Sequence, residues 1–111
     1  MAQFVHDGRS IDYTPSAAVT AGDVVVQADL IGVAKLDIAA NALGALAVTG
    51  VFDFPKATGA GSGIAVGAKV YWKADPGAAQ ADDEAGANKL IGKTIKAAAD
   101  ADATVRVRLS Q

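Results

Sequence analysis

Residues 21–48 return in altered form later in the chain, and this repeat is the feature that most constrains the fold. Four short segments recur in the same order: AGDVVV (21–26) as VGAKVY (66–71), LIG (30–32) as LIG (90–92), AANA (39–42) as AADA (98–101), and LAV (46–48) as VRV (105–107). The first segment lies closer to its copy than the others do, so an insertion of about fifteen residues falls somewhere within 74–88. Two copies are too few for a solenoid, which needs about three stacked units. The pattern therefore predicts an internal duplication, about 21–48 and 66–107, within one small domain.

The length and composition predict a single domain, 1–111, with a core of small side chains. The chain has 111 residues, and 51% of them are hydrophobic, but only 5% are aromatic. A core of this kind buries little apolar area per residue, and a domain of this size is only just large enough for one core. We therefore expect partner subunits to add stability, as a homodimer or homotrimer.

Charge and cysteine content exclude several kinds of partner and site. The net charge is −2 and there is no cysteine, so neither a phosphate-neutralising surface nor a disulfide or thiolate metal site is expected. The N-terminus lacks the layout of a signal peptide, and no apolar run reaches the roughly 18 residues that span a bilayer. The sequence thus predicts no nucleic-acid and no membrane partner, and a protein made in a cytoplasm.

Period-two patterns predict strands in the second half of each copy. Val105, Val107 and Leu109 alternate with polar residues, which indicates a strand with one apolar and one basic face. Residues 46–54 alternate in the same way, so one half-buried strand with a bend at Gly50 is expected there.

Turn signals separate these strands from further short ones. Asp-Gly at 7–8 predicts a hairpin that joins Phe4 and Val5 to a strand around 11–13, and 69–73 reads as a compact strand. No amphipathic helix of ten or more residues is apparent. About eight or nine short strands are expected in all, which indicates an all-β sandwich or small barrel.

Residues 87–94 match the loose form of a nucleotide-binding loop, with Ala87 in place of the first glycine and Lys93-Thr94 at the end. Such a loop cradles phosphate with the backbone of a glycine-rich turn between a strand and a helix. Here the intervening residues are not glycine-rich and no helix is expected. LIG at 30–32 also occupies the corresponding place in the first copy without a following Lys-Thr. A repeated structural strand is the favoured interpretation, and a nucleotide- or DNA-handling protein is the alternative.

No catalytic, cofactor-binding or metal-binding residues stand out. His6 is the only histidine, and a metal site or catalytic triad needs more partners than it has nearby. Tyr71 and Trp72 point to opposite faces of one strand, so at least one is a candidate interface anchor, while packing of both in a core is nearly as consistent with the pattern. The candidate interface residues are those of a possible N-terminal arm, 1–9, and of this strand: Gln3, Phe4, Val5, His6, Arg9, Tyr71 and Trp72.

Blocks along nearly the whole chain resemble the capsid cement, or decoration, proteins of tailed phages and prophages. The matching blocks are FVHDG (4–8), IDYTP (11–15), AGDVVV (21–26), IGVA (31–34), GVFDFPK (50–56), GAKVYW (67–72), LIG (90–92) and ATVRVRL (103–109). The resemblance implies a small jelly-roll-like or barrel-like β protein without catalytic residues.

The resemblance also implies a place in the virion and a partner. A cement protein of this kind would bind the outer surface of the assembled head and bridge neighbouring major capsid subunits, after assembly in the bacterial host cytoplasm. The strand edges and the N-terminal arm would supply many weak, repeated contacts. A free β-barrel binding module is a weaker alternative, and it would require an ordered apolar pocket.

Overall fold

The protein is all-β in its computed structural model, which describes residues 2–3, 8–74 and 77–110. The nine strands are β1 (Ser10–Tyr13), β2 (Val24–Gln27), β3 (Leu30–Ala34), β4 (Gly44–Ala47), β5 (Gly50–Pro55), β6 (Lys69–Lys73), β7 (Ala78–Gln80), β8 (Lys89–Thr94) and β9 (Thr104–Leu109). They form a four-stranded sheet in the order β1-β4-β3-β2 and a five-stranded sheet in the order β5-β9-β8-β6-β7. The predicted all-β class and strand number are confirmed. Within the described ranges no helix is long and apolar enough to cross a membrane.

The first compact unit comprises Met1–Val25 and Gly32–Val48. Its core contains Ala34, Ile38 and Leu46, against which Ile11, Tyr13, Val19 and Val25 pack. These residues come from β1 to β4 and from the loops after β1 and β3. In each strand, alternate side chains point to the same face, so one face of the strand lies against the core.

The second compact unit comprises Val26–Ile31 and Thr49–Gln111. In β9, the apolar residues predicted to face inward are buried and the two arginines between them are exposed. The buried Phe54 ring meets Trp72 edge-on with 6.1 Å between ring centroids. A parallel bridge between Lys56 and Ala79 brings the end of β5 to β7, so the two edges of this sheet meet there.

The duplication predicted from the sequence is present in the hydrogen bonds of the backbone. The order β1-β4-β3-β2 of the first sheet matches β5-β9-β8-β6 of the second, and β7 is the extra strand within the insertion. Val19 and Ile38 exchange two hydrogen bonds of 2.8 Å, and Ile64 and Ala98 do the same in the second copy. The duplication therefore extends beyond the predicted bounds to include β1 and β5.

The two glycine-containing LIG segments hold corresponding positions. Ile31 in β3 and Ile91 in β8 are both 0% exposed. The N–H of Gly22 donates to the carbonyl of Ala34 at 2.6 Å, and the N–H of Gly67 donates to the carbonyl of Thr94 at 2.9 Å.

Three details of the sequence interpretation are wrong. The segment AANA (39–42) matches 99–102 rather than 98–101, because Ile38 and Ala98 hold equivalent places, and the hydrogen bond from the N–H of Ala42 to the carbonyl of Ala39 is repeated from Asp102 to Ala99. Residues 46–54 do not form one bent strand, because Gly50, with φ of 116°, begins a separate strand that belongs to the other sheet. The last pair of repeated segments is also shifted, since Leu46 pairs with Ile11 and Ala34 whereas Val107 pairs with Phe52 and Thr94. The residue matching Leu46 is thus Val107 rather than Val105. A shift of two residues keeps every side chain on the same face, so alternation cannot detect it.

Candidate functional surface

The predicted N-terminal arm is only partly within the described residues. Phe4, Val5 and His6 lie outside them, together with the hairpin predicted for this segment. Gln3 and Arg9 are exposed. The carbonyl of Arg9 accepts a hydrogen bond from the N–H of Val48 at 3.0 Å, which aligns the chain with β4 just before β1 begins. The arm therefore leads directly into β1, an edge strand of the first sheet.

Tyr71 and Trp72 lie on opposite faces of β6, as alternation predicts, and they differ in exposure. Trp72 is 8% exposed and contacts Phe54, whereas Tyr71 is half-buried. A register shift between Val70 and Tyr71 interrupts the pairing of β6 with β8. Tyr71 consequently has the more accessible ring, and Trp72 packs in the core of the second unit.

The segment that resembles a nucleotide-binding loop is a strand for most of its length. Lys89–Thr94 forms β8 between β6 and β9, so its backbone is engaged in sheet pairing. The Thr94 hydroxyl is buried, donates to the carbonyl of Ala65 at 2.6 Å and accepts from the N–H of Ala68 at 3.2 Å. This arrangement matches the repeated strand favoured above and leaves no glycine-rich turn around which phosphate could bind.

An open apolar groove of about 650 Å³ lies in the first unit, beside the loop that joins β3 to β4. Leu36 is 76% exposed and Leu43 is 72% exposed, and both line the groove together with Ile38 and Ala45. Lys35 and the carboxylate residue Asp37 also line it, as do Ser10, Ala39, Ala42, Gly44 and Ala47. We call this feature the apolar groove.

The corresponding place in the second unit is smaller and charged. A pocket of about 260 Å³ is lined there by Asp53, Lys96 and Arg106, among others. Arg106 donates from Nε to Asp53 Oδ1 at 2.9 Å and from Nη2 to Oδ2 at 3.2 Å. These hydrogen bonds from the guanidinium lower the pKa of Asp53 and raise that of Arg106. The two copies of the fold have thus diverged at this surface, one apolar and one ionic.

Two other carboxylates of the second unit are held by local polar partners. Glu84 Oε2 accepts from Asn88 at 3.0 Å and from Gln80 at 2.7 Å, and Lys73 lies 3.2 Å away. The hydrogen bond from Asn88, followed by that from Lys73, lowers the pKa of Glu84. These contacts organise the insertion around β7. Across the described part of the chain, no group of three or more His, Cys, Asp or Glu residues could hold a metal ion.

The hydrogen bond and charge of Lys89 likewise lower the pKa of Asp29, whose Oδ1 is 2.7 Å from the Lys89 ammonium.

Sequence reasoning missed the apolar groove, although the duplication contains a signal for it. The groove leucines lie in a loop, where alternation does not apply, so no strand pattern marks them. A residue-by-residue comparison of the two copies does mark the difference, since Leu36 corresponds to Lys96 and the place of Leu43 falls at Ala103–Thr104, where neither residue is large and apolar. Large apolar residues kept in one copy and absent from the other indicate a surface with its own role.

Comparison with known proteins identifies a family over nearly the whole chain. A family model described as phage cement protein matches residues 5–109. No curated protein and no solved structure gives a match.

Proposed function

The chain belongs to the phage cement proteins, and from this we propose that it binds the outer surface of an assembled phage head and stabilises the contacts between major capsid subunits. The family match over residues 5–109 carries the proposal. A cement protein has a structural role in the phage capsid, which agrees with a protein that is not an enzyme. Localisation on the exterior of the virion, after assembly in the host cytoplasm, belongs to the same proposal.

The contacts with the capsid would be weak individually and repeated many times over the shell. Linked or repeated contacts convert modest affinities into tight overall attachment, because each further contact forms at high effective concentration. The first sheet offers β1 as an edge strand next to the arm, and an edge strand can pair with an extended segment of another chain. The second sheet is less suited to such pairing because Pro55 ends β5 and the Lys56–Ala79 bridge joins its edges.

The candidate contact residues are those of the arm and of β6. They are Gln3, Phe4, Val5, His6, Arg9, Tyr71 and Trp72, of which Trp72 is 8% exposed and packs against Phe54. A homodimer or homotrimer would multiply these contacts further. Self-association would make the melting temperature depend on protein concentration.

Co-sedimentation with undecorated capsids tests the proposal. The purified protein should pellet with the capsids, and the number of bound copies per major capsid subunit should saturate at a fixed ratio. Capsids that already carry their cement protein are the control, and they should take up little more. Absence of binding above background at saturating protein would overturn the proposed function.

Deletion of residues 1–7 tests the contribution of the arm separately. The shortened protein keeps Arg9 and all nine strands, so we expect it to fold but to bind capsids more weakly. Circular dichroism and thermal melting would verify folding. Undiminished capsid binding by a folded deletion variant would show that the arm is not a contact.

A further inference from the structure

We propose that the carboxylate of Glu84 is an acid-sensitive switch, which holds the turn between β7 and β8 closed when it is ionised and lets this turn open when it is protonated. We call the turn, residues 82–88, the insertion turn. This inference goes beyond the proposed function and does not depend on it. Three observations carry it, namely the polar partners that converge on one carboxylate, the strained backbone at the same residue and the short connection that takes the place of the insertion turn in the first copy.

The first observation is the set of partners around the Glu84 carboxylate. Its Oε2 accepts hydrogen bonds from Gln80 Nε2 at 2.7 Å and from Asn88 Nδ2 at 3.0 Å, and Lys73 Nζ lies 3.2 Å away. These partners belong to the end of β7, to the residue before β8 and to β6, so one carboxylate joins three strands. Protonation would place an O–H donor among these donors and remove the charge that strengthens the hydrogen bonds.

The ionisable neighbours of Glu84 fix the direction of the effect of pH. Among the described residues they are Lys73 and Asp82, and Asp82 Oδ1 accepts a hydrogen bond from the N–H of Glu84 at 3.0 Å. The hydrogen bond from Asn88, followed by that from Lys73, lowers the pKa of Glu84. The closed turn is therefore stabilised above the pKa that Glu84 has in the open turn, and this stabilisation is lost as the pH falls through the pKa in the closed turn.

The second observation is the strained backbone of the insertion turn. Glu84 and Ala85 have φ of 48° and 58°, and Gly86 follows with φ of 91°. Left-handed backbone is unfavourable for residues that have a Cβ, because this atom comes too close to the following carbonyl oxygen. Such strain persists only where the surrounding contacts hold the chain in place. Loss of the contacts of the Glu84 carboxylate should therefore allow the turn to relax.

The third observation is that the rest of the sheet does not need the insertion turn. In the first copy, β2 and β3 are joined by Ala28 and Asp29 alone. Residues 81–87 are all exposed, so opening of the turn uncovers little apolar surface. A segment with few buried contacts can open while the core stays folded. We therefore expect the opening to be local.

Hydrogen exchange of the free protein, followed by NMR at pH 7 and at about pH 3, tests the switch. The N–H groups of Gly86 and Asn88 both donate to the carbonyl of Asp83, at 3.1 and 3.0 Å, and report whether the turn is closed. Their protection factors, corrected for the intrinsic effect of pH, should fall about tenfold in acid, because charge-assisted hydrogen bonds are lost. The N–H groups of β9 should keep their protection. Equal loss of protection in β9 would show global unfolding and overturn the inference.

Glu84→Gln removes the charge without acid and keeps the size of the side chain. This variant should have weakly protected N–H groups in the insertion turn already at pH 7, with little further change at about pH 3. Asp83→Asn is the matched control, because it removes the same charge from the neighbouring residue. The Asp83 side chain has no hydrogen bond or ion pair with any residue that the structure describes, so this variant should exchange as the unaltered protein does.

The outcomes for the two variants decide the inference. If Glu84→Gln keeps the protection of the unaltered protein at pH 7, or still loses protection in acid by the same factor, Glu84 is not the switch. If Asp83→Asn opens the turn as much as Glu84→Gln does, the loss of any acidic charge is the cause and the inference is overturned. Because exchange is measured without capsids, each of these results leaves the proposed function standing.

Discussion

Gly32 and Gly92 hold the same place in β3 and β8, and each has a neighbouring strand too close for a side chain. A Cβ at Gly32 would lie 2.8 Å from the Cβ of Leu46 and 3.1 Å from its Cδ1. A Cβ at Gly92 would run into the carbonyl oxygen of Arg108 and lie 2.9 Å from the N–H nitrogen of Ser110. The repeated LIG segment therefore exists because two sheets need the same close approach, and no ligand is required to explain it.

Alanine substitutions should reveal this difference between the two glycines. Gly92→Ala forces a movement of the backbone, so we expect it to lower the free energy of unfolding by about 3 kcal/mol. Gly32→Ala overlaps less severely, but the Cβ of Leu46 that it meets moves only with its backbone, so a smaller loss of about 2 kcal/mol is expected. Urea denaturation of the two variants would measure both values. Equal losses, or a larger loss at Gly32, would contradict the assignment of the tighter contact to Gly92.

The Asp53–Arg106 pair should make part of the stability depend on pH. Because the folded pKa of Asp53 is lowered by Arg106, its contribution is present above the pKa of the unfolded chain and is lost as the pH falls through the folded value. Asp53→Asn should therefore melt at a lower temperature than the unaltered protein at pH 7, and the gap should close toward pH 3. The expected difference in melting temperature is small, because the side chains of Asp53 and Arg106 are 45% and 51% exposed and solvent weakens an exposed ion pair.

Asp12→Asn is the matched control for this prediction. Asp12 holds the corresponding place in β1 but faces Ala45 instead of an arginine. Its substitution should leave the melting temperature nearly unchanged at both pH values. A pH-dependent gap of the same size at Asp12 would show that the ion pair is not its cause.

Among the elements, the alternation of apolar and polar residues predicts where strands lie, but it does not predict the sheet to which each strand belongs. The pattern predicts the last strand well because Val105, Val107 and Leu109 face one core. It wrongly predicts one strand over 46–54, because the inward-facing residues of β4 and β5 share the same parity across Gly50. β7 was missed, since three residues are too few to show a period. The sheet that a strand joins depends on contacts between residues that are far apart in the sequence. A local sequence pattern contains no information about these contacts.

One buried lysine allows a test of how the end of β5 is held against β7. Lys56 is 6% exposed, and its ammonium donates to the carbonyl of Ala57 at 2.7 Å, to Ser62 Oγ at 3.2 Å and to the carbonyl of Asp100 at 3.4 Å. Lys56→Ala removes these bonds where β5 meets β7, so the free energy of unfolding should fall by about 2 kcal/mol.

Lys69→Ala, at an exposed position of β6, controls for the loss of a lysine. It should change stability by less than about 0.5 kcal/mol. Similar effects of the two substitutions in chemical denaturation would contradict the structural role of Lys56.

For the molecule as a whole, the sequence predicted an all-β class, an internal duplication and a resemblance to cement proteins, and each is confirmed. The apolar groove was not foreseen because it is formed by a loop and by a small residue, Ala45, in place of an arginine. Folding of 1–111 as one domain stays a prediction, and so does the role of the arm.

We propose that binding of this protein strengthens the phage head, and the disassembly temperature of the shell measures that strengthening. Undecorated capsids should be heated in a calorimeter with and without saturating protein. A ligand that binds the assembled shell and not its separated subunits raises the disassembly temperature, and the rise grows with ligand concentration. We expect such a rise. An unchanged disassembly temperature with the protein bound to the capsids would contradict it.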